Sequence, residues 1–177
     1  MSWKLKSPML NPAQQDRFVL LVDEHRKILH KVARCYAWNP ADREELVQEI
    51  TLQLWRSFDR YDEHYKFPTW MYRIALNVAI SFVRTEVRRT RSLVPADDST
   101  PSVLDLAATP EPADDDLRLL DEFIQKLDDL DRALVLLYLD GHRHETIAEI
   151  LGISATNVGT KIGRIKQRIR RDWPGTN

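Results

Sequence analysis

All five glycines of this 177-residue chain lie at or after Gly141. Tight hairpin turns draw heavily on glycine, because their central residues need a positive φ. A chain whose first 140 residues contain none is therefore expected to be helical rather than sheet-forming. Proline supplies the complementary punctuation. Asn11-Pro12 and Asn39-Pro40 each set a capping side chain ahead of a proline at the first helical position, where the missing N–H costs nothing. After the first, Phe18, Leu21, Val22, Ile28, Leu29, Val32, Cys35 and Tyr36 recur at helical steps. After the second, Leu46, Val47, Ile50, Leu54, Phe58 and Tyr61 do the same. Two helices with one buried stripe each are predicted, and Pro68 opens a third, from Thr69 to about Thr90.

With 43% apolar residues the chain has enough material for compact cores, in one ordinary domain or two small ones. No stretch is long and apolar enough to span a membrane, and neither a cleavable leader pattern nor a lipidation signal is present, so the cytoplasm is the expected compartment. Cys35 is the single cysteine, which excludes an internal disulfide or a multi-cysteine zinc site. Its apolar neighbours in the helical period make it a core residue. His142 and His144 have no third ligand near in sequence, so neither metal nor cofactor is expected.

The formal net charge of −1 argues against a nucleic-acid binder until it is resolved along the chain. Residues 1–91 carry 16 basic and 11 acidic side chains, residues 92–116 none and 7, and residues 117–177 carry 10 and 9. Two cationic blocks thus flank an acidic bridge that also holds four of the nine prolines and has scarcely any periodicity. That composition predicts an extended linker over 92–116, between a helical domain at 12–91 and another at 117–172.

On the second helix, Glu45, Gln48, Glu49, Leu52, Trp55, Arg56 and Asp59 gather opposite the core stripe. Leu and Trp facing outward among charges are the mark of a protein partner, unless Trp55 folds back over the core edge. On the third, Trp70, Arg73, Asn77, Ser81, Arg84 and Arg88 follow at steps of three and four and share one face, aromatic at its start and basic at its end. Tyr65, Lys66 and Phe67 stand just upstream. Rings on which bases stack, beside guanidinium groups that meet phosphates, suit single-stranded nucleic acid. A solvated basic face explains the arginines but not the aromatic cluster.

In the C-terminal block, Leu117, Leu120, Phe123, Ile124 and Leu127 mark one helix and Leu130 to Leu139 another, closed by Gly141. Ile147, Ala148, Ile150 and Leu151 form a short third helix ended by Gly152, and Ser154 caps a fourth with Ile153 and Val158 as the hydrophobic staple. That is a helix-turn-helix. Its last helix buries Val158, Ile162, Ile165 and Ile169, while 155–171 carry six basic side chains and no acid. Thr156, Thr160, Gly163, Arg164, Gln167 and Arg171 point away from the core, where small hydroxyls and arginines meet base edges and phosphates in a major groove. Gly159 and Gly163 each cost about 1 kcal/mol relative to alanine inside a helix. They either permit close backbone approach or leave the helix weak until DNA orders it.

Together, ADREELVQEITLQLWRSFDRYD, FPTWMYRIALNVAISFVRTEVRR, the acidic tether and HETIAEILGISATNVGTKIGRIKQRIRR resemble the extracytoplasmic-function group of bacterial RNA polymerase sigma factors, over roughly 17–91 and 117–171. The resemblance implies an all-α protein: a sigma-two domain of three to four helices and a sigma-four helix-turn-helix domain joined by the acidic, proline-containing linker. It implies core RNA polymerase and promoter DNA as partners. Glu45, Gln48, Glu49, Leu52 and Trp55 become the surface for the clamp helices of the largest subunit, with the polymerase flap a further contact. Tyr65, Lys66 and Phe67 become the loop that holds a flipped-out base of the minus-ten element, and Trp70, Arg73, Asn77, Arg84 and Arg88 line the opened strand. Ser154, Thr156, Asn157, Thr160, Lys161, Arg164 and Arg168 become the minus-thirty-five reading helix. An anti-sigma factor is a further family-based expectation. The chain departs from the family pattern at Gly159-Thr160, where a basic residue followed by serine is usual, and at His142-Arg143, which replace an apolar-serine pair. Extended, a 25-residue tether reaches roughly 80 Å, more than the roughly 50 to 60 Å between the two elements.

Three rival readings are weaker. A stand-alone helix-turn-helix regulator leaves the Trp70 to Arg88 stripe unexplained. An enzyme built on Asp62, Glu63 and His64 lacks a nucleophile-base pair, a phosphate-cradling loop and metal-ligand spacing. A helical adaptor does not call for an acid-free basic helix.

Overall fold

In the computed structural model the described residues are 10–93, 120 and 122–172, with side chains described as far as 86 in the first stretch. Among them there is helix and no strand. The chain divides into two compact units, Met1–Val103 and Leu104–Asn177. The predicted tether at 92–116 lies almost wholly outside the described residues.

The first unit opens with α1, Pro12–Glu24, held by a reciprocal cap. The Gln14 N–H donates to Asn11 Oδ1 at 2.9 Å, and the Asn11 N–H donates to Gln14 Oε1 at 3.0 Å. The continuous periodicity through Tyr36 predicts one helix here, but the chain leaves helical geometry at His25 (φ −108°, ψ 14°) and resumes as α2, Arg26–Tyr36. Neither proline nor glycine marks the break. The His25 ring stacks on Phe67, centroids 5.7 Å apart, so the join is fixed by a tertiary contact.

α3, Pro40–Ser57, starts as its Asn-Pro signal predicts, with the Asp42 N–H donating to Asn39 Oδ1 at 2.8 Å, and runs into a single 3-10 turn at Phe58–Arg60. After a loop, α4 spans Phe67–Leu93. Helices α2, α3 and α4 pack on one another around Val32, Tyr36, Leu46, Ile50, Leu54, Met71, Tyr72 and Leu76, while Ala33, Ala75 and Ala79 let the backbones approach. Burying side chains of this size stabilises by about 1.5–3 kcal/mol each, which anchors α4 and leaves its opposite face to solvent.

The second unit begins, in its described part, with a helical turn at 122–125. Asp128 then caps α5, Asp129–Leu139, accepting from the Asp131 N–H at 2.7 Å. Arg132 fastens the two together. Buried, its guanidinium donates to the carbonyls of Ile124, Gln125 and Leu127 at 3.1–3.4 Å, satisfying oxygens that the end of the preceding helix leaves orphaned. Gly141 (φ +81°) turns the chain into α6, His144–Leu151, and Gly152 (φ +68°) ends it. Both glycines sit in the left-handed region that other residues rarely adopt. α7, Ala155–Asp172, follows with Ser154 Oγ accepting from the Asn157 N–H at 3.2 Å. Val158, Ile162 and Ile165 close the core against Leu134, Leu137, Ile147 and Ile150; Ile169 is only half-buried.

Candidate nucleic-acid interface

At the start of α4 the chain gathers rings from three elements. Trp70 lies 5.0 Å from Tyr61, 5.4 Å from Phe67 and 6.3 Å from Phe58, and Phe58 stands edge-on to Phe18 at 5.2 Å. These contacts correct the sequence-based place of Phe67. It is 4% exposed, the first residue of α4 and the centre of the cluster, so it offers no face to an incoming base. Tyr65, 57% exposed, and the exposed Lys66 do stand open to solvent, and Trp70 is half-buried. Arg73, Asn77, Ser81 and Arg84 continue from Trp70 as one exposed face of α4. Arg88 falls on the helix but its side chain lies outside the described residues.

The loop between the 3-10 turn and α4 is tied down within itself. The Tyr61 hydroxyl donates to the Tyr65 carbonyl at 2.8 Å, and the Tyr65 N–H donates to the Asp62 carbonyl at 3.1 Å. Asp62 Oδ1 accepts from the His64 N–H at 3.0 Å and meets His64 Nδ1 at 2.6 Å. Chiefly the backbone bond, and then the ring, hold the Asp62 carboxyl below its ordinary range, while the same carboxylate raises His64. Partial burial raises the Tyr61 phenol. Arg17, on α1, donates to Glu63 in the same loop, which lowers the Glu63 carboxyl and raises the guanidinium. Sequence reading missed Arg17: it lies 46 residues from its partner, beyond any local pattern.

On α3, Glu45, Gln48, Glu49 and Leu52 are exposed as their spacing predicts. Trp55 departs from that stripe. It is half-buried and meets Phe18 edge to face at 5.1 Å, the fold-back over the core edge that its surroundings allowed. An apolar groove of about 390 Å³ lies beside it, lined by Phe18, Val47, Gln48, Thr51, Leu52 and Trp55.

In the second unit Ser154, Thr156, Asn157, Thr160, Gly163, Arg164, Gln167 and Arg171 are exposed on α7. Lys161 is not among them. Its ammonium donates to Asp131 on α5 at 2.8 Å, with both side chains largely covered, so it fastens α7 to α5 and does not stand on the exposed face. Arg168 is half-buried, its guanidinium 5.8 Å from the Phe123 ring. Lys166 donates to the Tyr138 hydroxyl at 2.6 Å. Neither α7 glycine is sterically required. A Cβ at Gly159 would meet His144 at an ordinary 3.6 Å, and one at Gly163 would meet nothing within 4 Å. No metal-holding group of His, Cys, Asp and Glu occurs among the described residues, and no described helix is long and apolar enough to cross a membrane.

Two helical units, one with an aromatic-to-basic helix face and the other with a capped helix-turn-helix whose last helix has no acid before Asp172, define a helical DNA-binding protein. Comparison with known proteins narrows the class. Residues 21–89 match the model for Sigma-70 region 2 and residues 117–169 that for Sigma-70, region 4. The chain is 27% identical to the ECF RNA polymerase sigma factor SigW of Bacillus subtilis, covering 95% of each. It is 30% identical to the ECF RNA polymerase sigma-E factor of Escherichia coli over 88% of this chain and 85% of that one. In fold it is similar to the sigma factor RpoE in its co-crystal structure with the anti-sigma factor NepR from Bartonella quintana (TM-score 0.64, 17% identity, 91% and 96% of the two chains). The chain belongs to the ECF group of RNA polymerase sigma factors. It directs promoter-specific transcription by RNA polymerase as an initiation factor.

Proposed function

We propose that the two units divide the work of promoter recognition between them. The exposed face of α4 from Trp70 through Arg73, Asn77 and Arg84, with Tyr65 and Lys66 beside it and Arg88 continuing the line, receives the opened minus-ten strand. One observation carries this assignment: cations and a hydroxyl-amide pair share a single solvent-facing stripe that begins at an aromatic cluster. Extruding a base costs a few kcal/mol, which stacking on Tyr65 or the exposed edge of Trp70 and the phosphate contacts offset. Ser154 and Thr156 at the start of α7, with Asn157, Thr160, Arg164 and Arg168, address the minus-thirty-five element. Glu45, Gln48, Glu49 and Leu52 on α3 dock on core polymerase, with Trp55 bracing the groove from below. That same stripe is the surface an anti-sigma factor would have to cover. The compartment follows from the partners: polymerase and promoter are both cytoplasmic.

Holoenzyme assembly and open-complex formation separate these roles. Arg73→Ala plus Arg84→Ala should bind core polymerase as the parent does and lose at least about tenfold in opening, as expected for two phosphate contacts removed. Gln48→Ala plus Leu52→Asp should lose core binding. Opening that is indifferent to Arg73 and Arg84 would remove the α4 assignment.

A further inference from the structure

The loop proposed to catch the extruded base is held from a distance. Tyr65 and Lys66 sit at its exposed end, and the bonds from Tyr61 to Tyr65 and from His64 to Asp62 fix its internal shape. Tyr61, packed on Phe58, Phe67 and Trp70, anchors the start of that shape to the unit. The Arg17–Glu63 pair adds a second tie, joining the middle of the loop to α1 across 46 residues of sequence. α1 is itself fixed at this end, since Phe18, next to Arg17, is buried against Trp55 and Phe58.

Resting on the reading of the 61–66 loop given above, we propose that Arg17 is a positioning residue for promoter opening: by holding Glu63 it stations Tyr65 and Lys66 where the base arrives. A loop stationed in advance loses less conformational freedom when DNA binds, so the gain appears in opening. The pair is well exposed, with Arg17 at 46% and Glu63 at 64%, so its loss should leave the fold intact.

The test uses the full chain with core polymerase on a promoter recovered by run-off selection, with 2-aminopurine in the minus-ten element reporting base extrusion. Arg17→Ala and Glu63→Ala should assemble holoenzyme normally and slow opening by about two- to fivefold, the most that an exposed ion pair can contribute to stationing the loop. The reversed pair, Arg17→Glu with Glu63→Arg, should recover opening to near the parent rate. Arg17→Ala with Glu63→Gln, which removes the lone charge without restoring the bond, should stay slow. Recovery by that last variant would reduce the pair to charge neutralisation and overturn positioning, as would single variants that open at the parent rate or a reversed pair that stays slow. Tyr65→Ala plus Lys66→Ala is the companion variant. If it opens normally, the loop assignment itself fails and takes this inference with it; if it is slow while Arg17→Ala is not, the inference alone fails.

Discussion

Two aromatic residues two positions apart, Tyr65 and Phe67, have opposite fates, and this separates function from folding at single-residue resolution. Phe67→Ala removes a ring packed by His25, Tyr61 and Trp70 and should cost about 3–5 kcal/mol, read as a fall in the urea midpoint of the first unit. Tyr65→Ala should leave that midpoint unchanged and slow promoter opening. The sequence string of aromatic and basic residues made the two look alike. What buries Phe67 comes from α2's start, the 3-10 turn and α4, and no local window contains all three. In the same loop Asp62 and His64 offer a titration test. Because Asp62 raises His64, their attraction is present below the ordinary imidazole value of 6.5 and fades as pH rises through the raised one; because His64 lowers Asp62, it is lost again only as pH falls through that lowered carboxyl value. In Asp62→Asn the His64 pKa, followed by its ring-proton NMR shift, should move down toward 6.5. An unmoved value would mean the pair does not persist in solution.

Helix starts were the most legible elements, because Asn11, Asn39 and Ser154 announce their caps in side-chain chemistry. Breaks and cross-helix ties were not. The α1–α2 join depends on the His25–Phe67 stack, and Lys161 is held against α5 by Asp131, thirty residues earlier in the chain. The helix-turn-helix therefore has two kinds of support that substitution should separate. Ser154→Ala should weaken α7 by about 1 kcal/mol through the lost cap. Gly163→Ala should strengthen it by about 1 kcal/mol, since nothing lies where its Cβ would sit. Arg132→Ala should cost about 3 kcal/mol by leaving three carbonyls without their shared donor. Amide hydrogen exchange across α5 to α7 reads all three, with slower exchange expected for Gly163→Ala alone.

For the whole molecule, the net charge of −1 hides two basic blocks around an acid-only bridge at 92–116, and that distribution keeps open the nucleic-acid reading that the total argues against. A chain with so little net attraction for phosphate should hold promoter duplex weakly by itself and recognise it when polymerase presents both units together. Free-chain binding that is tight and insensitive to polymerase would instead describe an independent regulator. Family identity was legible because three stretches agree in order and spacing; of the site proposed for DNA, the sequence made legible only which residues share an exposed helix face, as at Arg73, Asn77, Thr156 and Arg164. The most direct test is run-off transcription by purified core polymerase on a genomic promoter library, with and without this chain. A restricted set of new transcripts should appear with the parent and vanish with Arg73→Ala plus Arg84→Ala despite normal core binding. An unchanged transcript pattern on adding the chain, or an undiminished one with the double variant, would contradict the account.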